Sequence, residues 1–352
     1  MASGVTGESE DVLTRVDGAI GRITLNRPKA INSLNQQMVD ALSAVLARWE
    51  ADDAVSAVVL SGAGERGLCA GGDVVAIYHS ARDGGVEARR FWRDEYLLNG
   101  QIGRFAKPYV SLMDGIVMGG GVGVGAHGNV RVVTETSKVG MPEVGIGFIP
   151  DVGGAFLLSR APGGLGLHAA LTGAPFSGAD AIAMGFADHY VPHDQLDAFT
   201  QAIIDDGILS AVAAHAVEPP ASELAAQRVW IDRCYAGETV EDIIARLRAF
   251  GGNGAGPAQD AADLIASRSP IALSVTLQAV RRAAKLKTLE DVLKQDYRVS
   301  SASVRSHDLV EGIRAQLIDK DRNPKWSPAA LSAVTAADVD AYFAPVEDDL
   351  NF

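Results

Sequence analysis

The chain has 352 residues, 47% of them hydrophobic and 21% charged, with a formal net charge of −13. Such a composition suits a globular protein with one large core. It argues against a nucleic-acid polyanion or an anionic membrane surface as the main partner, while leaving room for a small phosphorylated ligand held by a local basic patch.

The two cysteines, Cys69 and Cys234, make no disulfide framework. No apolar run reaches the roughly 18 residues of a membrane span, and Met1 to Asp11 carry no signal-like apolar or Arg-rich segment. A cytoplasmic protein is therefore expected, with a homo-oligomer left open.

In chain order, Val12–Val16 and Ala19–Leu25 read as two strands joined at an Asp17-Gly18 turn. Asn35–Trp49 carries apolar residues at helical spacing, and Val55–Leu60 is a short β-branched strand leading into a glycine-rich loop, Ser61–Gly72. A helix over Val86–Phe105 ends at Lys107-Pro108. Then come a strand at Tyr109–Met113, a buried helix over Gly119–Ala126, a strand at Val130–Thr134 and a helix at Ala155–Ser159. This alternation predicts an α/β core with right-handed crossovers.

Beyond Ser177 the pattern is mainly helical: Gly178–Met184, Gln195–Asp205, Val240–Phe250, Ala258–Ser267, Ile271–Lys285 and Leu289–Ser301. Gly251–Pro257 reads as a flexible connector. The expected division is an α/β core over residues 1–200 that carries the active site, followed by a helical region over 201–352 that includes the tail.

Several stretches bear chemistry. Gly62-Ala63-Gly64-Glu65-Arg66-Gly67 follows a strand and formally matches G-x-G-x-x-G, but a dinucleotide site needs a helix to open there, and the chain instead continues to Gly72-Asp73. Gly72 and Gly119–Gly121 each look like a helix start, where oriented N–H groups can hold a developing oxyanion; close helix packing explains the same glycines equally well. Glu143 has apolar neighbours that would raise its pKa, as a general base near neutrality requires, although a helix-terminal role fits Pro142-Glu143 too. Asp151 reads most simply as a helix N-cap. Cys69 lacks an adjacent base, the seven histidines show no metal-ligand spacing, and no G-x-S-x-G elbow is present.

Taken together, Ile23–Ala30, Leu68–Asp73, Met118–Gly121 and Met141–Glu143 resemble the enoyl-CoA hydratase/isomerase (crotonase) superfamily. Asp94–Asn99, Lys107–Val110, Gly145–Gly154, Gly312–Asp321 and Pro324-Lys325-Trp326 resemble, within it, the 3-hydroxyisobutyryl-CoA hydrolase family. The resemblance covers nearly the whole chain and is weakest between about Pro219 and Gly256. It implies a crotonase-like spiral of ββα turns with a helical C-terminal part, and an acyl-CoA thioester as the small-molecule partner.

The resemblance also implies roles for particular residues. The thioester oxygen would sit on the N–H groups of Gly72 and Gly120, with Glu143 and Asp151 as the acidic groups and Glu95 as a further substrate-site carboxylate. The adenosine and phosphate end would lie near Arg27, Lys29 and the Leu68–Ala70 loop. CoA would be part of the substrate, and no metal or redox cofactor would be needed.

One departure narrows the chemistry. Hydratases of this superfamily use a second glutamate three residues beyond the glycine that matches Gly120, and that position is Gly123 here. Thioester hydrolysis, best of 3-hydroxyisobutyryl-CoA in valine breakdown, is therefore expected over hydration of a double bond. A hydratase/isomerase and a non-catalytic acyl-CoA-binding protein are the alternatives.

Overall fold

A computed structural model describes residues 9–352; residues 1–8, most of the Met1–Asp11 stretch read above, lie outside them. β1 (Val12–Asp17) and β2 (Ile20–Leu25) form the antiparallel hairpin that Asp17-Gly18 predicts, with Gly18 at φ +60° in the turn. β3 (Ala57–Gly62), β4 (Tyr109–Met113), β6 (Val130–Val133) and β9 (His189–Tyr190) extend β2 in parallel, giving the order β1-β2-β3-β4-β6-β9. A smaller sheet joins β5 (Ile116–Met118), β7 (Lys138–Gly140) and β8 (Phe176–Ser177).

Each turn of the chain gives one strand to each sheet and then a helix or helical turn. β4 is followed by β5 and α4 (Gly120–Gly125), and β6 by β7 and a helical turn at Glu143–Ile146. The loop after β3 does the same through single bridges, Cys69 pairing in parallel with Val117, before α2 (Val74–Arg82) begins on an Asp73 N-cap. The spiral of ββα turns expected from the resemblance is thus the observed architecture. No helix opens at Gly62–Gly67, so the dinucleotide reading fails on geometry.

The large sheet is buried on both faces because its strands alternate. Val58 and Leu60 join the main core, where α1 (Gln36–Glu50) also buries Met38, Leu42, Leu46 and Trp49. Ala57 and Val59 face a second cluster with Phe199, Ile203 and Ala211 from helices Leu196–Asp206 and Ile208–His215. Residue 200 therefore falls inside a helix that covers the sheet, and the main core runs on to Leu350.

Two local expectations are corrected. The glycine connector is shorter than Gly251–Pro257, since a helix starts at Ala255 with Pro257 tolerated in its first turn. Asp151 is not an N-cap: Gly153 occupies that position before helix Gly154–Leu158. β5, β7 and β8, of two or three residues each, are too short for periodicity to reveal.

The last residues clasp the site's framework. Asp348 accepts hydrogen bonds from Arg89 on α3 (Val86–Gly103) and from Tyr297 on helix Leu289–Ser303, while Asp349 takes Arg298 and Phe352 lies over Gly100.

Gly121 has no room for a side chain, since a Cβ there would lie 2.4 Å from the Cys69 carbonyl oxygen. Gly121→Ala is expected to cost about 1–3 kcal/mol of stability, read as a lower unfolding midpoint in urea. An unchanged midpoint would mean that the two loops can part freely.

Candidate active site

Three successive turns of the spiral bring the same point, the end of the second strand, to one place: Gly72, Gly120 and the Glu143 turn. Backbone bonds fix the alignment. Met118 N donates to Cys69 O at 3.0 Å, and Gly119 N donates to Gly140 O at 3.1 Å. Leu34 N donates to Gly71 O and Asp73 N to Leu34 O, both at 2.8 Å, so the intervening Gly72 N–H is not used in that pairing. The Gly120 N–H opens α4 and has no intrahelical acceptor. Gly71 and Gly119, at φ +111° and +51°, make the bends that leave both donors beside one cavity.

That cavity has a volume of about 350 Å³. Its wall includes Ala70, Gly72, Gly120 and three buried carboxyl groups, Glu95, Glu143 and Asp151. Trp92 and Phe148, stacked with centroids 5.2 Å apart, form its apolar side. The carboxylates stand where side chains are missing. Glu143 Oε1 lies 2.8 Å from a Cβ placed on Gly119, and Glu95 Oε1 lies 2.6 Å from one placed on Gly120.

Burial pushes all three acids up. Desolvation is the main cause for each; the charge of Asp151 adds to it at Glu95 and Glu143. Asp151 is raised to about 7, with the Tyr96 hydrogen bond opposing the rise. At Glu95, beside Gly120, burial therefore favours the uncharged form.

Asp151 sits on a strained bend. Val152 has φ +50° and Gly153 φ +74°, the first unusual for a β-branched residue. Three contacts hold the bend: Tyr96 OH donates to Asp151 Oδ2 at 2.6 Å, Gly153 N donates to Asp296 Oδ2 at 2.9 Å, and His127 Nε2 bonds Val152 O at 2.7 Å. Desolvation lowers His127 to about 4, so the ring is neutral near pH 7, and its Nε2 carries the proton given to that carbonyl. The Tyr96 hydroxyl also lies 2.7 Å from Ser300 Oγ.

The other expected residues lie apart from the cavity. Leu68 is buried in the core, and Lys29 is exposed on the Pro28–Ala30 turn. Arg27 ties loops together, donating to Ser33 O and pairing with Asp11 and Asp73. Cys69 is fully buried and its thiol pushed up to about 12, mainly by desolvation, which removes the nucleophile reading.

Gly123 is filled from outside. A Cβ there would lie 2.8 Å from Asn99 Nδ2 and 2.9 Å from Val152 Cβ. The absent glutamate does not leave a single carboxylate, however, because Glu95 enters from α3, one turn before Asn99. Sequence reading missed Tyr96, Asn99, Asp296 and Ser300. Their signal was polar residues on the buried stripes of two helices.

Against known proteins, residues 20–343 match the enoyl-CoA hydratase/isomerase family model. The chain belongs to that family. Among its relatives are proteins named 3-hydroxyisobutyryl-CoA hydrolase, mitochondrial: one from Danio rerio is 38% identical over 96% of this chain and 90% of its own, and one from Homo sapiens is 38% identical over 99% and 92%. A solved structure described as a carnitinyl-CoA dehydratase from Mycobacterium thermoresistibile is 72% identical with TM-score 0.94, covering 98% of this chain and 99% of its own. Another, described as an enoyl-CoA hydratase from Rhodobacter sphaeroides, is 40% identical with TM-score 0.91, covering 97% and 100%.

Two measurements check the electrostatics. Tyr96→Phe removes a donor that favours ionised Asp151, so the titration of the Asp151 carboxyl, followed by infrared or NMR, is expected to move up by about one unit. A midpoint that stays put would detach Tyr96 from the titration. The fold also binds the Asp151 proton more tightly than the unfolded chain does. This group therefore favours folding below pH 3.8 and loses that advantage as pH rises towards about 7. Asp151→Asn should accordingly be more stable than wild type above pH 7, the difference closing towards pH 4 in urea titrations.

Proposed function

We propose that the chain hydrolyses the thioester of a short branched hydroxyacyl-CoA, with 3-hydroxyisobutyryl-CoA the best candidate. The observation that carries this reading is position 123. Asn99 and Val152 fill the space where a hydratase's second glutamate would stand, while a pair of backbone donors and the buried Glu143 are kept. The names of the relatives from zebrafish and human support it.

In the proposed reaction the carbonyl oxygen accepts from Gly72 N–H and Gly120 N–H. Ionised Glu143 takes a proton from water as the water oxygen bonds to the carbonyl carbon. The negative charge of the tetrahedral intermediate rests on the two N–H groups, whose individual loss typically costs about 2.7–4 kcal/mol of barrier. Collapse breaks the C–S bond, and the departing thiolate receives the proton held by Glu143, leaving free acid and CoA. In the covalent variant, Glu143 itself bonds to the carbonyl carbon and expels thiolate; water then hydrolyses the mixed anhydride. Asp151 holds the substrate hydroxyl or steers the water.

Hydration of an enoyl-CoA is the second reading, favoured by Glu95 as a further carboxylate and by the descriptions of the two solved structures. Incubation with 3-hydroxyisobutyryl-CoA and with crotonyl-CoA separates the two. Thiol release from the first supports hydrolysis; loss of enoyl absorbance from the second without thiol release overturns it. A role in valine breakdown and a cytoplasmic location belong to the same proposal. So does independence of metal or redox cofactors, which activity surviving dialysis against a chelator would support.

Glu143→Ala is expected to lower thiol release by about 10²–10⁴-fold while CoA-ester binding persists in calorimetry. Undiminished turnover would remove Glu143 from the chemistry.

A further inference from the structure

Among the residues lining the cavity there is one cation, Arg268, and the proposed reaction has no use for it. Its Nε and Nη2 both donate to Thr172 O, at 3.2 and 2.9 Å, which fixes the plane of the guanidinium. Nη1 lies along the Glu143–Ile146 turn, 3.2 Å from a Cβ placed on Gly145, and donates to no protein atom among the described residues. No carboxylate of the described residues forms an ion pair with it, although burial already disfavours its charge. Arg314, by contrast, is met by Glu311, Asp319 and Asp321, and Arg131 by Asp188.

A partly buried guanidinium without a counter-ion is costly, and its flat fork of donors suits an oxyanion. The need for a cation is evident from the surroundings. The chain carries −13 overall, so an anionic ligand meets an unfavourable long-range field. Arg27, the cation expected for this task, is committed to Asp11 and Asp73. Arg268 also borders an outer groove with Arg248, Pro270 and Leu273, which places its charge between the cavity and that surface.

We propose that Arg268 binds an oxyanion of the ligand, carried either by the phosphates of CoA or by a carboxylate on the acyl group. The inference rests on the acyl-CoA reading above and adds a charged contact on the side of the cavity formed by the Glu143 turn and the start of helix Pro270–Ala283.

The test compares wild type, Arg268→Gln and Arg268→Lys on three thioesters: a short hydroxyacyl-CoA, the same acyl group on N-acetylcysteamine, which lacks phosphate, and a CoA thioester whose acyl chain ends in a carboxylate. If phosphate is the partner, Arg268→Gln raises the KM for CoA thioesters relative to the N-acetylcysteamine thioester by about tenfold, and Arg268→Lys recovers part of it. If an acyl carboxylate is the partner, the rise is confined to the third thioester. An equal change on all three, or none, overturns the proposal. Should Arg268→Gln fail to fold, Arg268→Lys with the salt dependence of wild-type KM reads the same contact, since a charge contact weakens with ionic strength and a packing contact does not. Wild type that turns over none of the three would instead sink the hydrolase reading, and calorimetry of CoA and of the carboxylate-ended CoA thioester with wild type and variant would still decide on Arg268.

Discussion

The burial of three carboxyl groups around one cavity, none of them paired to a cation among the described residues, is the constraint on which the site is built. An unpaired carboxylate cannot be kept ionised cheaply away from water, so each acid is pushed towards its neutral form. The surroundings then grade them. Asp151 receives the Tyr96 hydroxyl and comes back to about 7, whereas Glu95 and Glu143 each keep an oxygen without a protein partner among the described residues. The fold is also made to carry strain, with Val152 in the left-handed region and a fourth buried acid, Asp296, spent on holding the Gly153 N–H.

The repeating spiral explains how such a cluster is assembled without long side chains reaching across the molecule. Gly72, Gly120 and the Glu143 turn occupy equivalent places in consecutive turns, so hydrogen bonds between neighbouring turns align them automatically. α3 then lies over the glycine face of α4, which admits Glu95 opposite Gly120 and Asn99 opposite Gly123. A glutamate on α3 therefore brings its carboxylate to the cavity from the opposite side to one carried by α4 itself.

Much of this was legible in the chain. The hairpin, α1, β4 and the buried glycine helix follow from turn chemistry and from periodicities of two and 3.6 residues. Gly72, Gly120, Glu95, Glu143 and Asp151 were named from motifs and do meet at one cavity. What the sequence leaves unread has physical reasons. The resemblance sets the phosphate end of CoA near Arg27 and Lys29, but that Arg27 pairs with Asp11 and Asp73 depends on contacts distant in sequence. Asp151 looked like a cap because the positive φ of Val152 and Gly153 leaves no mark in composition. The clamps Tyr96, Asp296 and Ser300 lie on two helices far apart in the chain, and only a polar residue on an apolar stripe hinted at them. Conversely, the glycine at 123 suggested a site depleted of carboxylates, and the packing of α3 refills it.

The clasp made by Asp348, Asp349 and Phe352 gives the carboxyl end an influence that its distance from the chemistry conceals. It joins α3, bearing Glu95 and Tyr96, to the helix bearing Asp296 and Ser300, and the Tyr96–Ser300 contact spans the same two helices. The spacing of those helices sets the length of that contact, and so the seat of the hydroxyl that donates to Asp151. Removing Asp348, Asp349 and Phe352 would therefore loosen the seam between these two helices at a point remote from the cavity.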